Sequence, residues 1–138
     1  MSKRVTSIRI SPDIKEELEQ RARDAGLPAA ALYERFIDEG LRHDAHPLIV
    51  FRDGAAGRRP VIAGTRITVA QVIDTVVATD DHSITQAAEY LGLPESHVSE
   101  CVRYYAAYRD EIDEWRNRLA EIAEREQDAW QREQAVFA

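Results

Sequence analysis

The stretch RVTSIRISPDIKEELEQRARDAGLPAAALYERFIDEGL, residues 4–41, decides how the chain is read. Its first seven residues alternate. Thr6, Ile8 and Ile10 fall on one face of an extended segment and Val5, Ser7 and Arg9 on the other, which is the period of two expected of a strand. Ser11-Pro12 then opens a helix, with a hydroxyl at the cap and proline at the first helical position. Asp13, Glu16 and Glu17 suit the positive end of that helix. Ile14, Leu18, Ala22 and Ala25 form one apolar stripe. Gly26 stops the helix, and Pro28 starts a second one with Leu32, Phe36, Ile37 and Leu41 as its apolar face.

One strand and two helices in so short a segment are too little to fold alone. A lone strand has unpaired backbone groups, and two helices provide half a core. A second copy supplies both: the strands pair antiparallel about a two-fold axis and four helices cover one face of the ribbon. Ile8 and Ile10 then point into the shared core, while Val5, Ser7 and Arg9 point outward from a ribbon of a size that enters the DNA major groove.

Residues 4–41 resemble the ribbon-helix-helix family of dimeric bacterial repressors and antitoxins in the order and length of these elements. The resemblance implies base reading by Val5, Ser7 and Arg9. Arg9 is the best suited, because a guanidinium bonds guanine O6 and N7 together. It also implies a phosphate at the start of the second helix, on the backbone N–H groups of Ala29 and Ala30. The family usually caps that helix with Ser or Thr; Pro28 here keeps the backbone contact and loses the hydroxyl. Lys3 and Arg4 add charge for phosphates. The competing reading makes 4–10 an ordinary edge strand and Arg9 a solvated charge.

After HDAHP (43–47), LIVFR (48–52) reads as a strand, DGAAG (53–57) as a turn and RRPVIAGTRI (58–67) as a returning strand. A helix follows with Val69, Val72, Ile73 and Val76 inward, then a loop at 78–83 ending in a Ser cap. ITQAAEYL (84–91) and PESHVSECVRYYAAY (94–108) are two more helices around a Gly turn, the first with Ile84, Ala87, Ala88 and Leu91 inward and the second with Val98, Cys101, Val102 and Tyr105. Their arrangement has the form of a helix-turn-helix. The exposed positions of the second, Glu95, Ser96, His97, Ser99, Glu100 and Arg103, include two acids where such a helix would meet phosphates, so helical packing is the better reading than a second DNA reader.

GTRI at 64–67, between hairpin and helix, resembles a family of small bacterial domains over roughly 46–113. Members are often encoded beside PIN-like nucleases as the antitoxin half of type II toxin–antitoxin pairs. Arg66 is expected to bond the turn backbone, with a partner-facing role as the alternative. Residues 109–138 form a charged helix of net charge −4, with Ile112, Trp115, Leu119 and Ile122 at heptad-like spacing and Trp130 and Phe137 isolated beyond them. The layout resembles a VapB-like antitoxin, whose C-terminal segment covers the toxin active site. That implies toxin contacts by Trp115, Leu119, Ile122, Trp130 and Phe137. The alternative packs Ile112 to Ile122 on this chain's own domain or its dimer mate.

The chain has 138 residues, a net charge of −7 and one cysteine. Residues 1–45 carry 8 basic and 9 acidic groups, so the excess acid lies further on. No apolar run approaches the ~20 residues of a membrane span, and the basic N-terminus lacks a secretory apolar core. Cytoplasmic residence without membrane association is expected. The single Cys101, on an apolar helix face, excludes an internal disulfide or multi-Cys metal site. DGAAG lacks the spacing and lysine of a phosphate loop, and no HExxH occurs. His43, Asp44 and His46 lack a third neutral ligand, and Asp80, Asp81 and His82 suit a cap. No catalytic residue, metal or cofactor is expected, and the chain is not expected to be an enzyme.

The expectation is a mainly α protein: a ribbon-helix-helix dimerisation and DNA-binding domain (1–45), a hairpin with a helix-turn-helix-like antitoxin domain (46–108) and an acidic C-terminal helix (109–138). Its expected partners are operator DNA through the major groove, a PIN-like ribonuclease toxin, and a second copy or higher oligomer of itself. The alternative function is a stand-alone ribbon-helix-helix regulator without a toxin.

Overall fold

Ser11 and Gly26 bracket the first helix as their chemistry dictates. Ser11 Oγ accepts from the Ile14 backbone N–H, Pro12 occupies the first turn, and Gly26 closes the helix in the left-handed conformation at φ 66°. In this computed structural model, which describes residues 2–138, that helix is α1 (Pro12–Ala25), followed by α2 (Ala29–Ala45). The chain forms two units, Met1–Asp44 and Ala45–Ala138.

The first unit has a small core. Leu18, Ala22 and Leu32 are buried, with Leu27, Ala29 and Tyr33 packed on them. The rest of the expected apolar faces is open: Ile14 is 56% exposed, Ile37 53% and Leu41 67%. The strand expected over 4–10 is not formed. The described residues before Ser11 carry no regular secondary structure and are exposed. A two-stranded ribbon needs a second strand, and among the described residues the two strands of the chain both follow α2 and pair with each other.

The second unit opens with the antiparallel hairpin β1 (Ile49–Gly54) and β2 (Gly57–Ile62), in register Ile49 to Ile62 and Phe51 to Pro60. β2 ends at Ile62, short of the expected 67, because the next residues fold into a turn. Gly64 there has φ +77°. Thr65 Oγ1 donates to the Ile62 carbonyl and accepts from the Ile67 N–H, and the Ile62 N–H donates to the Ile67 carbonyl. Thr68 then caps α3 (Val69–Ala78) in a reciprocal capping box with Gln71.

A 3-10 turn at Asp80–His82 leads to α4 (Ile84–Leu91), capped by Ser83, and then α5 (Glu95–Ala107) and α6 (Arg109–Ala135). The core gathers Ile49, Ile62, Val69, Val72, Ile73, Ala87, Ala88, Val98, Cys101, Tyr104 and Ile112. The buried tyrosine of α5 is therefore Tyr104; Tyr105, expected inward, is only half-buried and its hydroxyl joins a polar network. No described helix is long and apolar enough to cross a membrane.

Candidate nucleic-acid and partner interfaces

Lys3, Arg4, Val5, Ser7 and Arg9 all lie on an exposed extended segment. Val5 is 96% exposed, as an outward strand position would be, but Ile8 and Ile10 are exposed as well. Lys3 Nζ pairs with Glu34 Oε2 at 2.7 Å, on the outer surface of α2. Arg4 and Arg9 make no hydrogen bond or ion pair with the described residues. At the start of α2, Pro28 provides the capping carbonyl for Ala31 and Leu32, while the N–H groups of Ala29 and Ala30 have no acceptor among the described residues. The start of α2 carries no acidic residue to compete for them.

The five expected toxin contacts separate into two groups. Trp115 and Leu119 pack on the core of the second unit beside the fully buried Ile112. The Trp115 ring closes over the hairpin turn, where a Cβ on Gly57 would stand 3.3 Å from its edge. Arg118 stacks on that indole at 4.5 Å and donates to the Ala56 carbonyl. Ile122 is half-buried where this docked stretch ends. Past it, Trp130 is 55% and Phe137 93% exposed on the last turns of the chain. One helix thus has a docked first half and an unpartnered second half.

A polar network fastens the docked half. Tyr105 Oη donates to Asp113 Oδ1 at 2.6 Å, and Arg116 bridges Asp113 at 3.0 Å and Asp74 of α3 at 2.7 Å. The Tyr105 hydrogen bond, reinforced by Arg116 and Arg109, holds the Asp113 carboxyl below its ordinary range. By sequence alone Asp113 belongs to a solvated face; the fold makes it an anchor between helices. The signal for that role is the spacing of Asp113 and Arg116 on the face that continues from Ile112.

A second network stands where the second unit begins. His46 is buried edge-on to Tyr104, with Nδ1 2.8 Å from Glu100 Oε1. Arg103 binds both Glu100 oxygens and donates to the Ala45 carbonyl. Burial alone would push the Glu100 carboxyl up; the hydrogen bonds from Arg103 and His46 outweigh it and bring it below its ordinary value. Glu100 and Arg103, exposed positions of a possible DNA reader by sequence, are thus engaged with the chain's own backbone and His46. Asp80, Asp81 and His82 lie in the exposed loop before the Ser83 cap. No group of three or more His, Cys, Asp or Glu among the described residues is placed to hold a metal.

Arg66 departs from its expected role. Its side chain is exposed and makes no hydrogen bond to the turn; Thr65 makes those bonds instead. The hairpin, the GTRI turn, α3, α4 and most of α5 form one continuous segment. Residues 49–105 match the model of a family described as a protein of unknown function (DUF433). The matched segment stops short of α6 and excludes the first unit. No curated protein and no solved structure matches the chain.

Proposed function

We propose that this chain is the antitoxin of a type II toxin–antitoxin pair: a homodimer that reads operator DNA with residues 4–10 and neutralises a PIN-like ribonuclease toxin through its C-terminal half. The observation that carries the reading is the state of the first unit. Ile8, Ile10, Ile14, Phe36, Ile37 and Leu41 are all exposed beside an extended basic segment with no strand partner. An apolar surface of this kind marks an interface. A second copy satisfies every part of it at once, pairing the segment's backbone and covering both helical faces, and leaves Val5, Ser7 and Arg9 outward.

For the toxin, the supporting feature is the distal half of α6. Trp130, on this acidic helix, and Phe137, in the turn just past its end, are large exposed aromatics, and such residues anchor a helix in a partner's groove. Trp115 and Leu119 support that helix by fixing its root. On this reading the metal-binding acids of the nuclease belong to the toxin. The stand-alone regulator differs in one respect only, since it leaves Trp130 and Phe137 without an occupant.

The test is co-expression with the product of the adjacent gene, followed by sedimentation of the purified material. The expected result is a complex containing two copies of this 15.7 kDa chain, which separates into free toxin and the intact homodimer of this chain in the double variant Trp130→Ala, Phe137→Ala. A second variant, Ile37→Glu with Leu41→Glu, is expected to abolish the dimer. A wild-type monomer that ignores the neighbouring gene product would end the proposal.

A further inference from the structure

The tip of the hairpin carries a positive face on an acidic unit. Residues 45–138 hold 10 basic against 16 acidic side chains. The antiparallel register places Arg52 directly opposite Arg59, and Gly54 opposite Gly57. Opposed residues share a face, as do residues two apart on one strand. Arg52, Arg59 and both glycines therefore stand on the same side of the hairpin.

Gly54 has no positive φ, so its backbone does not call for glycine. The missing Cβ makes room for Arg59, whose guanidinium carbon lies 2.7 Å from where that Cβ would be. On the opposite strand, Arg118 Nη1 lies 4.0 Å from the corresponding point on Gly57. The guanidinium groups of Arg59 and Arg118 thus lie over this face, and Arg52 stands on it by register. Two of them, Arg52 and Arg59, make no hydrogen bond or ion pair with a described residue. Asp53 sits on the other face with Arg58, and Glu114 engages Arg118. Like charges directly opposed on paired strands cost stability, and no described carboxylate neutralises the pair.

We propose that this face binds the phosphates of duplex DNA, as a second contact to the backbone beside base reading by residues 4–10. The proposal rests on the DNA-binding reading above. A guanidinium fork matches a phosphate oxygen pair, and backbone contacts need charge without apolar burial. A protein partner needs an anchor to bury. The one aromatic on this face, Trp115, is already covered by Gly57 and Arg118. That favours the polyanion over an acidic protein surface.

Fluorescence anisotropy of the full chain tests this across a salt series, using a duplex from immediately upstream of the gene and a shuffled duplex of equal length. In the double variant Arg52→Gln, Arg59→Gln, the slope of log affinity against log salt should fall by about 2 for each chain of the dimer, about 4 in all, at roughly 0.9 for each phosphate no longer neutralised. The weakening should be equal on both duplexes, with the thermal midpoint held or raised. Gly54→Ala displaces the Arg59 guanidinium without removing charge, and should lower the slope by less. A slope unchanged in both variants, while wild type still binds in an Arg9-dependent way, overturns the hairpin contact and leaves the ribbon standing. A reduced slope with binding indifferent to Arg9 upholds the hairpin and removes the ribbon. No binding of either duplex by wild type overturns both. Unchanged DNA binding with a weakened toxin complex overturns the proposal and reassigns the face to protein.

Discussion

The hydroxyl of Tyr105 donates to Asp113 at 2.6 Å, and through that bond the last helix is tied to the one before it. Arg116 extends the tie to Asp74. With Ile112 fully buried and Trp115 over the hairpin turn, the first turns of α6 belong to the core, while beyond Ile122 the described helix is exposed apart from Ala129. A chain ended after Ala123 should keep its thermal midpoint within about 2 °C, since little buried surface is removed, and should no longer bind the proposed toxin. Tyr105→Phe should cost about 1 kcal/mol, the usual worth of one hydrogen bond, and raise the Asp113 carboxyl toward its ordinary range. Differential scanning calorimetry and carboxyl NMR titration read the two effects.

Cys101 gives a chemical reporter of the same core. Burial pushes its thiol up to about 12, with the charge of neighbouring Glu100 adding to the shift. The thiolate is the reactive form, so the native protein should resist iodoacetamide at pH 8 and react fully once unfolded in guanidinium. Mass spectrometry after timed alkylation decides it; fast modification of the native chain would place Cys101 outside the core.

Glu100 sets a pH dependence whose sign follows from its surroundings. Burial works against its ionised form, yet the hydrogen bonds from Arg103 and His46 prevail and leave the folded carboxyl below its ordinary value. Such a group contributes stability above its unfolded pKa of about 4.3 and loses it as pH falls through the lower folded value. Thermal midpoints measured between about pH 6 and 3 should therefore decline less steeply in Glu100→Gln than in wild type. The difference should stay below about 1 kcal/mol, because burial of the carboxylate offsets part of the gain and the Arg103 side chain stands largely in solvent.

Legibility in the sequence varies along the chain. Ser11, Pro12 and Gly26 announce α1, and the spacing of Val69, Val72, Ile73 and Val76 announces α3, because caps and periodicity are local physics. The segment 4–10 has the alternation of a strand and does not form one, because a strand's hydrogen bonds come from its neighbour and the described chain supplies none. In the GTRI turn a long cation suggests the bonding group, but the adjacent hydroxyl of Thr65 reaches both turn groups. Tyr104 and Tyr105 are consecutive, and a helical stripe does not say which ring turns inward. The opposition of Arg52 and Arg59 depends on hairpin register, which the two-residue turn Ala55-Ala56 fixes. A turn drawn over the whole of DGAAG (53–57) hides it.

Whether residues 4–10, paired across two copies, read DNA is decided by fluorescence anisotropy of wild type and Arg9→Ala at fixed salt. The duplexes are the upstream sequence and single-base variants of it. Wild type should prefer the upstream sequence, and Arg9→Ala should give up about 1–3 kcal/mol of discrimination at one base pair, as removal of a bidentate guanine contact does. Equal affinity for all duplexes, or discrimination unchanged by Arg9→Ala, would contradict DNA reading by this segment and leave it as a dimer seam alone.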